Sequence, residues 1–285
     1  MKLTCVTAVF NAIKSGNKSN LVRCIESVAA LATEHEHLIY DGASTDGTVE
    51  ILRGLEKQIP NLKVVSEKDT GIYNALNKGV RDAKGEWFYV LGADDYIKKP
   101  TVMDEIMALS GKADMIVTPV EHGQRILIPE VGVLFFHTPY GHQGMLLKTS
   151  FMRECGGFDE QFRVAADYDV MIKAHLAALH IKFFDSIFAY YSDGGMSDNM
   201  ESFLDDTSAV LSARFGLTSQ EIDYSRKIGF PPARIIFRFL FFKEPFLRTA
   251  ARQMAKRMFR WWIKGPLRTA LYPLVVLTRP IRHRK

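Results

Sequence analysis

The chain has 285 residues, of which 47% are hydrophobic and 11% aromatic, and a formal net charge of +5. That is enough apolar material for a sizeable core, and it excludes a chain disordered throughout. Cys5, Cys24 and Cys155 show no pair spacing, which excludes a disulfide framework and points to a reducing compartment.

The first hundred residues alternate strand and helix signals. Leu3–Val9 is apolar and β-branched, so it reads as a buried strand. Leu21, Cys24, Ile25, Val28 and Leu31 recur at helical spacing within 20–31. His37–Tyr40 reads as a second short strand ending at Asp41. Ser44, Thr45 and Asp46 can cap a helix carrying Val49, Leu52 and Leu55. Leu62–Val65 is the third strand, Ile72–Ala83 a helix, and Glu86–Leu91 a strand ending at Asp94-Asp95.

Repeated strand-then-helix order predicts an α/β fold, with a central, mostly parallel sheet and helices on both faces. Ligands bind such sheets beyond the carboxyl ends of the strands. Asn11, Asp41, Asp69 and Asp94-Asp95 all follow strand ends. Residues 114–191 are mixed. They hold strands at Met115–Val117, Met145–Leu147 and Ile181–Phe184, and a helix over 167–179, followed by a polar loop, Ser192–Asn199.

Charge divides the chain. Residues 1–224 carry 21 Lys/Arg and 31 Asp/Glu, whereas 225–285 carry 16 Lys/Arg and one acid, Glu244. Two domains are therefore expected, a body over 1–224 and a basic helical tail over 225–285. Within the tail, Arg248, Arg252, Lys256, Arg260 and Lys264 recur every four residues beside Trp261 and Trp262. That pattern suits an amphipathic helix lying on an anionic membrane surface through 233–285. Packing on the body, or a dimer contact, is the plainer alternative. Neither a secretory leader nor a long uncharged apolar run is evident, so a cytoplasmic protein, peripheral on the inner face of the cell membrane, is expected.

Adjacent Asp94 and Asp95 repel each other unless a cation intervenes, and hard oxygens suit Mg²⁺ or Mn²⁺. Asp41, at a strand end, can accept hydrogen bonds from a nucleobase. No P-loop lysine motif and no GxGxxG is present, which counts against ATPase and dinucleotide readings. His35 and His37 lack metal-ligand spacing with cysteine and read as surface residues.

The runs TAVFNA, IYDGASTDGT, SEKDTGIYNALNKG and GEWFYVLGADD, then GGFDEQF and ADYDVMIKA, resemble glycosyltransferase family 2 of the GT-A fold. The resemblance spans roughly residues 3–200, with the motifs in family order. It leans toward bacterial exopolysaccharide and colanic-acid-type transferases. It implies inverting transfer of a sugar from a UDP- or GDP-sugar to a lipid-linked glycan in cell-surface polysaccharide biosynthesis. It also implies residue roles. Thr7 and Asn11 would line the nucleotide pocket, and Asp41 would contact the base. Asp69, Asn77 and Lys78 would sit beside the donor. Asp94 would touch ribose or metal, Asp95 would hold the metal on the diphosphate, and Asp167 would be the general base. His142-Gln143 would face donor or acceptor sugar, and Gly194–Ser197 would approach the diphosphate. Arg125 and Arg163 are further phosphate candidates.

Two positions depart from the family: Gly92 and Ala166 stand where acids are frequent. They keep open a non-catalytic sugar-nucleotide-binding module of the same fold. Asp169 is the rival base, and positions 167 and 169 point to different helix faces. A nucleic-acid-binding role for the basic tail is the remaining alternative; no nucleic acid is expected.

Overall fold

The computed structural model describes residues 1–193, 199–229, 231–232, 234–236, 251–252 and 255–256. The elements run β1 (Leu3–Val9), α1 (Lys18–Ala29), β2 (His35–Asp41), α2 (Thr48–Glu56), β3 (Leu62–Ser66), α3 (Ile72–Asp82) and β4 (Trp87–Val90). They continue as β5 (Tyr96–Ile97), α4 (Pro100–Ala108), β6 (Met115–Val117), β7 (Val120–His122), β8 (Arg125–Leu127) and β9 (Met145–Lys148). Then come α5 (Thr149–Glu154), α6 (Ala166–Leu176), β10 (Ile181–Phe183), β11 (Ala189–Tyr191), α7 (Met200–Phe215) and α8 (Ser219–Ile228).

Seven strands form the main sheet in the order β10-β6-β9-β4-β1-β2-β3. Strands β1 to β4 pair in parallel, as the strand–helix alternation predicts. Strand β9 enters between β4 and β6, antiparallel to both. The four-stranded sheet β5-β11-β7-β8 stands apart from it.

Strand β1 lies inside the sheet, between β4 and β2, with both faces covered, which is why Leu3, Cys5, Val6, Ala8 and Val9 form a mostly apolar run rather than a strict alternation. Val6 faces one core with Tyr73, Leu76 and Val80 of α3 and with α6. Leu3 and Cys5 face the opposite core with α1 and α4. Helix α3 lies very close to β1: a Cβ at Gly79 would stand 2.5 Å from Val6 Cγ1. Only glycine tolerates that approach.

Two expectations change. His35 and His37 are not surface residues. They are 8% and 2% exposed, because β2 is an interior strand flanked by β1 and β3. The α6 helix stops at Leu176, short of 179, with Ala178 in left-handed backbone at φ 59°. The boundary expected between 224 and 225 falls inside α8, and Ile235, Ile236 and Ala251 are buried in the same core as α6. Apart from residues 234–236, 251–252 and 255–256, the amphipathic stretch 233–285 lies outside the described residues, as does Gly194–Ser197. Among the described residues, no helix is long and apolar enough to cross a membrane.

Candidate active site

The carboxyl ends of β1 and β4 open into a cleft of about 290 Å³. One wall comes from Ala8–Phe10 after β1 and Leu91–Asp95 after β4; the other comes from Tyr73, Phe158, Val164 and Asp167, with His142 and Gln143 on its floor. Asp94, Asp95 and Asp167 all line this one space.

Asp95 is 2% exposed. Its Oδ1 accepts from the Ser192 N–H at 2.8 Å, and its Oδ2 accepts from Gln143 Nε2 at 2.9 Å. Burial nonetheless raises its pKa, with the His142 charge and these donors pulling the other way. The Ser192 hydroxyl donates to the Asp94 carbonyl at 2.6 Å. A Cβ at Gly92 would stand 2.6 Å from Asp95 Oδ2 and 3.0 Å from Asp94 Oδ1. Both carboxylates thus converge on the space a side chain there would fill, which gives position 92 a reason to be glycine.

Among the described residues, no group of three or more His, Cys, Asp or Glu side chains could hold a metal ion. Two converging carboxylates still suit a hard divalent cation, provided a diphosphate and water complete the shell. Asp94 and Asp95 would be its protein ligands.

Asp167 opens α6, half-buried in the cleft wall. Three groups surround its carboxylate. Tyr73 Oη approaches Oδ1 at 3.4 Å, the Tyr168 N–H donates to Oδ1 at 2.8 Å, and His142 Nδ1 stands 3.3 Å from Oδ2. Burial lowers the pKa of His142, but Asp167, Asp95 and Asp94 together outweigh it and the net shift is upward. Burial and the Asp167 charge hold the Tyr73 phenol well above its ordinary value, so it stays a neutral donor. Asp169 faces away and is fully buried, paired with Arg214 and with Lys173 at 3.0 Å. It cannot reach an acceptor, which removes it as the rival base.

The other expected residues divide. Asn11 Oδ1 accepts from the Thr45 N–H at 3.0 Å, and Ser44 Oγ accepts from the Asn11 N–H at 2.7 Å. Asp41, 1% exposed, accepts from the N–H and hydroxyl of Ser44 and from the Ser66 hydroxyl. Both residues therefore fix the 42–46 loop beside the cleft. Asp46, not Ser44, serves the start of α2, accepting from the Thr48 N–H and hydroxyl. Asp69 Oδ1 accepts from the Gly71 N–H at 3.1 Å, ahead of α3.

Asn11, Asp41 and Asp69 do not line the cleft, and neither do three further expected residues. Thr7 is fully buried, its hydroxyl donating to the Leu91 carbonyl at 2.8 Å and lying 3.0 Å from His37 Nε2. Its side chain points into the sheet interior, so it supports β4 from below. Asn77 holds Phe158 at both its N–H and its carbonyl, each at 2.8 Å. Lys78 pairs with Glu67 at 2.7 Å. Arg163 lines the cleft, while Arg125 is exposed on β8 in the smaller sheet. The sequence reading gave no role to Tyr73, which falls within the helix expected over 72–83.

Comparison with known proteins places this geometry. Residues 4–128 match the model of glycosyl transferase family 2. A PGL/p-HBAD biosynthesis glycosyltransferase of Mycobacterium bovis is 27% identical over 196 residues, covering 63% of this chain and 75% of its own. The crystal structure of S. aureus TarS 1-349 in complex with UDP-GlcNAc superposes with a TM-score of 0.61 at 18% identity, covering 88% of this chain and 79% of that one. Mannosyltransferase PcManGT from Pyrobaculum calidifontis, in complex with GDP-Man and Mn²⁺, gives 0.57 at 16% identity, covering 97% and 79%. With its motifs in order on a mostly parallel sheet and its acidic pair at the end of β4, the chain matches glycosyltransferase family 2 over residues 4–128 and has the GT-A fold.

Proposed function

We propose that the enzyme is an inverting, metal-dependent hexosyltransferase that moves a sugar from a UDP- or GDP-sugar to a lipid-linked glycan in the assembly of a cell-surface polysaccharide. The observation that carries this reading is that Asp94, Asp95 and Asp167 line one cleft. Transfer needs a carboxylate to take the acceptor's proton and a means of neutralising the departing diphosphate. Asp167 is placed for the first task. Asp94 and Asp95 would hold Mg²⁺ or Mn²⁺, which when bound supplies positive charge for the second. Asn11 and Asp41 shape the edge where the nucleotide docks by fixing the 42–46 loop, with Asp69 at the turn into α3. A single base, with no second carboxylate paired across the bond, suits transfer better than hydrolysis. The donor class accords with structural neighbours solved with UDP-GlcNAc and with GDP-Man and Mn²⁺.

The lipid-linked acceptor and a seat on the inner face of the membrane rest on the basic, Trp-bearing stretch within 233–285. Calorimetry with UDP and GDP, with and without Mn²⁺, on wild type and Asp95→Ala tests the donor half. Metal-dependent binding of one nucleotide, lost in the variant, is expected. Binding of neither by folded protein would overturn the donor assignment. Release from anionic liposomes on removal of 233–285 tests the membrane half, and unchanged binding would overturn it.

A further inference from the structure

Helix α6 presents Asp167 in its first turn, yet it begins without a cap of its own. Ala165 precedes it and offers no side-chain acceptor. N–H groups at a helix entrance need partners from elsewhere. Here they come from another helix. Asp206 of α7 places Oδ2 2.6 Å from the Val164 N and 2.8 Å from the Ala165 N. From the other side, the Tyr73 hydroxyl donates to the Val164 carbonyl at 2.8 Å. The backbone just ahead of the base is thus gripped at its N–H groups by one element and at its carbonyl by another. A second tie follows eight residues along α7, where Arg214 pairs with the fully buried Asp169 and reaches Asp159 at 3.3 Å. The same helix lends Phe203 to the cleft.

We propose that Asp206 is a positioning residue: its carboxylate clamps Val164-Ala165 and thereby sets the reach of Asp167 toward the acceptor hydroxyl. The inference rests on Asp167 being the base. Asp206 lies outside the cleft lining, so its removal acts on the chemical step and leaves donor affinity alone. A displacement of about 1 Å at a reacting group costs on the order of 10²-fold in rate.

The test measures kcat for transfer and calorimetric Kd for the nucleotide in Asp206→Ala, Asp206→Asn and Asp167→Asn. Asp206→Ala is expected to lower kcat on the order of 10²-fold at unchanged nucleotide Kd. Asp206→Asn keeps an acceptor oxygen and is expected to retain most of the rate. If Asp206→Ala does not fold, Asp206→Ser, whose shorter side chain also withdraws the acceptor, stands in and gives the same split. Wild-type kcat in Asp206→Ala, or in Asp206→Ser where that variant stands in, would overturn the clamp; so would a parallel loss of nucleotide binding. Full transfer activity in Asp167→Asn would overturn the base assignment, and the clamp with it. Loss of activity in Asp167→Asn with wild-type Asp206 variants would overturn the clamp alone.

Discussion

His142 Nδ1 stands 3.3 Å from Asp167 Oδ2, so an imidazole from the strand-β9 side of the cleft steadies the carboxylate at the start of α6. Replacing it with alanine is expected to lower kcat about tenfold, a modest share of what general-base catalysis supplies, with nucleotide affinity retained. The pair also has a stability signature. The folded-state pKa of His142 is raised above its ordinary 6.5, so its stabilising contribution is full below pH 6.5 and fades as pH rises through the shifted value. Melting temperatures of wild type and His142→Ala should differ most in mild acid and converge at higher pH. A gap that widens with pH would contradict this.

Protons and a divalent cation compete for Asp95. Its pKa is raised by burial, so ionising it costs the folded protein stability, and a bound cation offsets that cost. Mn²⁺ is expected to raise the melting temperature more at pH 7 than at pH 5, and to have no effect on Asp95→Ala.

Gly92→Ala should weaken Mn²⁺-dependent nucleotide binding by about tenfold, an effect near 1.4 kcal/mol. The added methyl would meet Asp95 Oδ2 at 2.6 Å and Asp94 Oδ1 at 3.0 Å. Unchanged affinity would show that the two carboxylates need not converge there.

Acid should unfold the protein through two interior histidines. His37 and His175 are 2% and 1% exposed, and burial lowers each pKa from 6.5 to about 3. The unfolded chain takes up protons below pH 6.5 that the folded chain refuses, so stability falls from there toward pH 3. Each group contributes a slope of about 1.4 kcal/mol per pH unit within that window. Denaturant titrations at several pH values should show the slope, and His37→Asn should remove its share.

Asn77 separates a structural from a ligand-binding role. Its amide serves both backbone groups of Phe158 and lies outside the cleft lining. Asn77→Ala is expected to lower stability by about 2 kcal/mol, because it leaves buried polar groups unpaired, at unchanged nucleotide affinity. The reverse pattern would return Asn77 to the donor site.

Strands whose residues are buried on both faces were legible because their apolar runs leave little choice: Leu3–Val9 matches β1 to the residue. Of the acidic residues at strand ends, Asp94 and Asp95 after β4 line the cleft, whereas Asp41 and Asp69 do not. The strands of the smaller sheet were not legible. Strands β5, β7, β8 and β11 hold two or three residues each, too few for any periodicity, and their pairing is long-range. Thr7 misled because position along β1 locates a residue at the cleft, whereas the pleat decides whether its side chain points there. His37 misled because polar neighbours suggested a surface, while the site of β2 between two strands buried it. Asp206 was invisible because nothing along the chain announces that it meets Val164, 42 residues away.

The place of β1 between β4 and β2 has a consequence during synthesis. The strand emerges from the ribosome ahead of its partner β2, at His35–Asp41. Its other partner, β4, begins only at Trp87. Until some eighty further residues have been made, one side of an apolar strand exposes a ladder of unsatisfied amides and carbonyls, the form in which nascent chains pair with the wrong neighbour. Slowed translation between residues 40 and 90 should therefore cost soluble yield more than the same delay placed later in the chain.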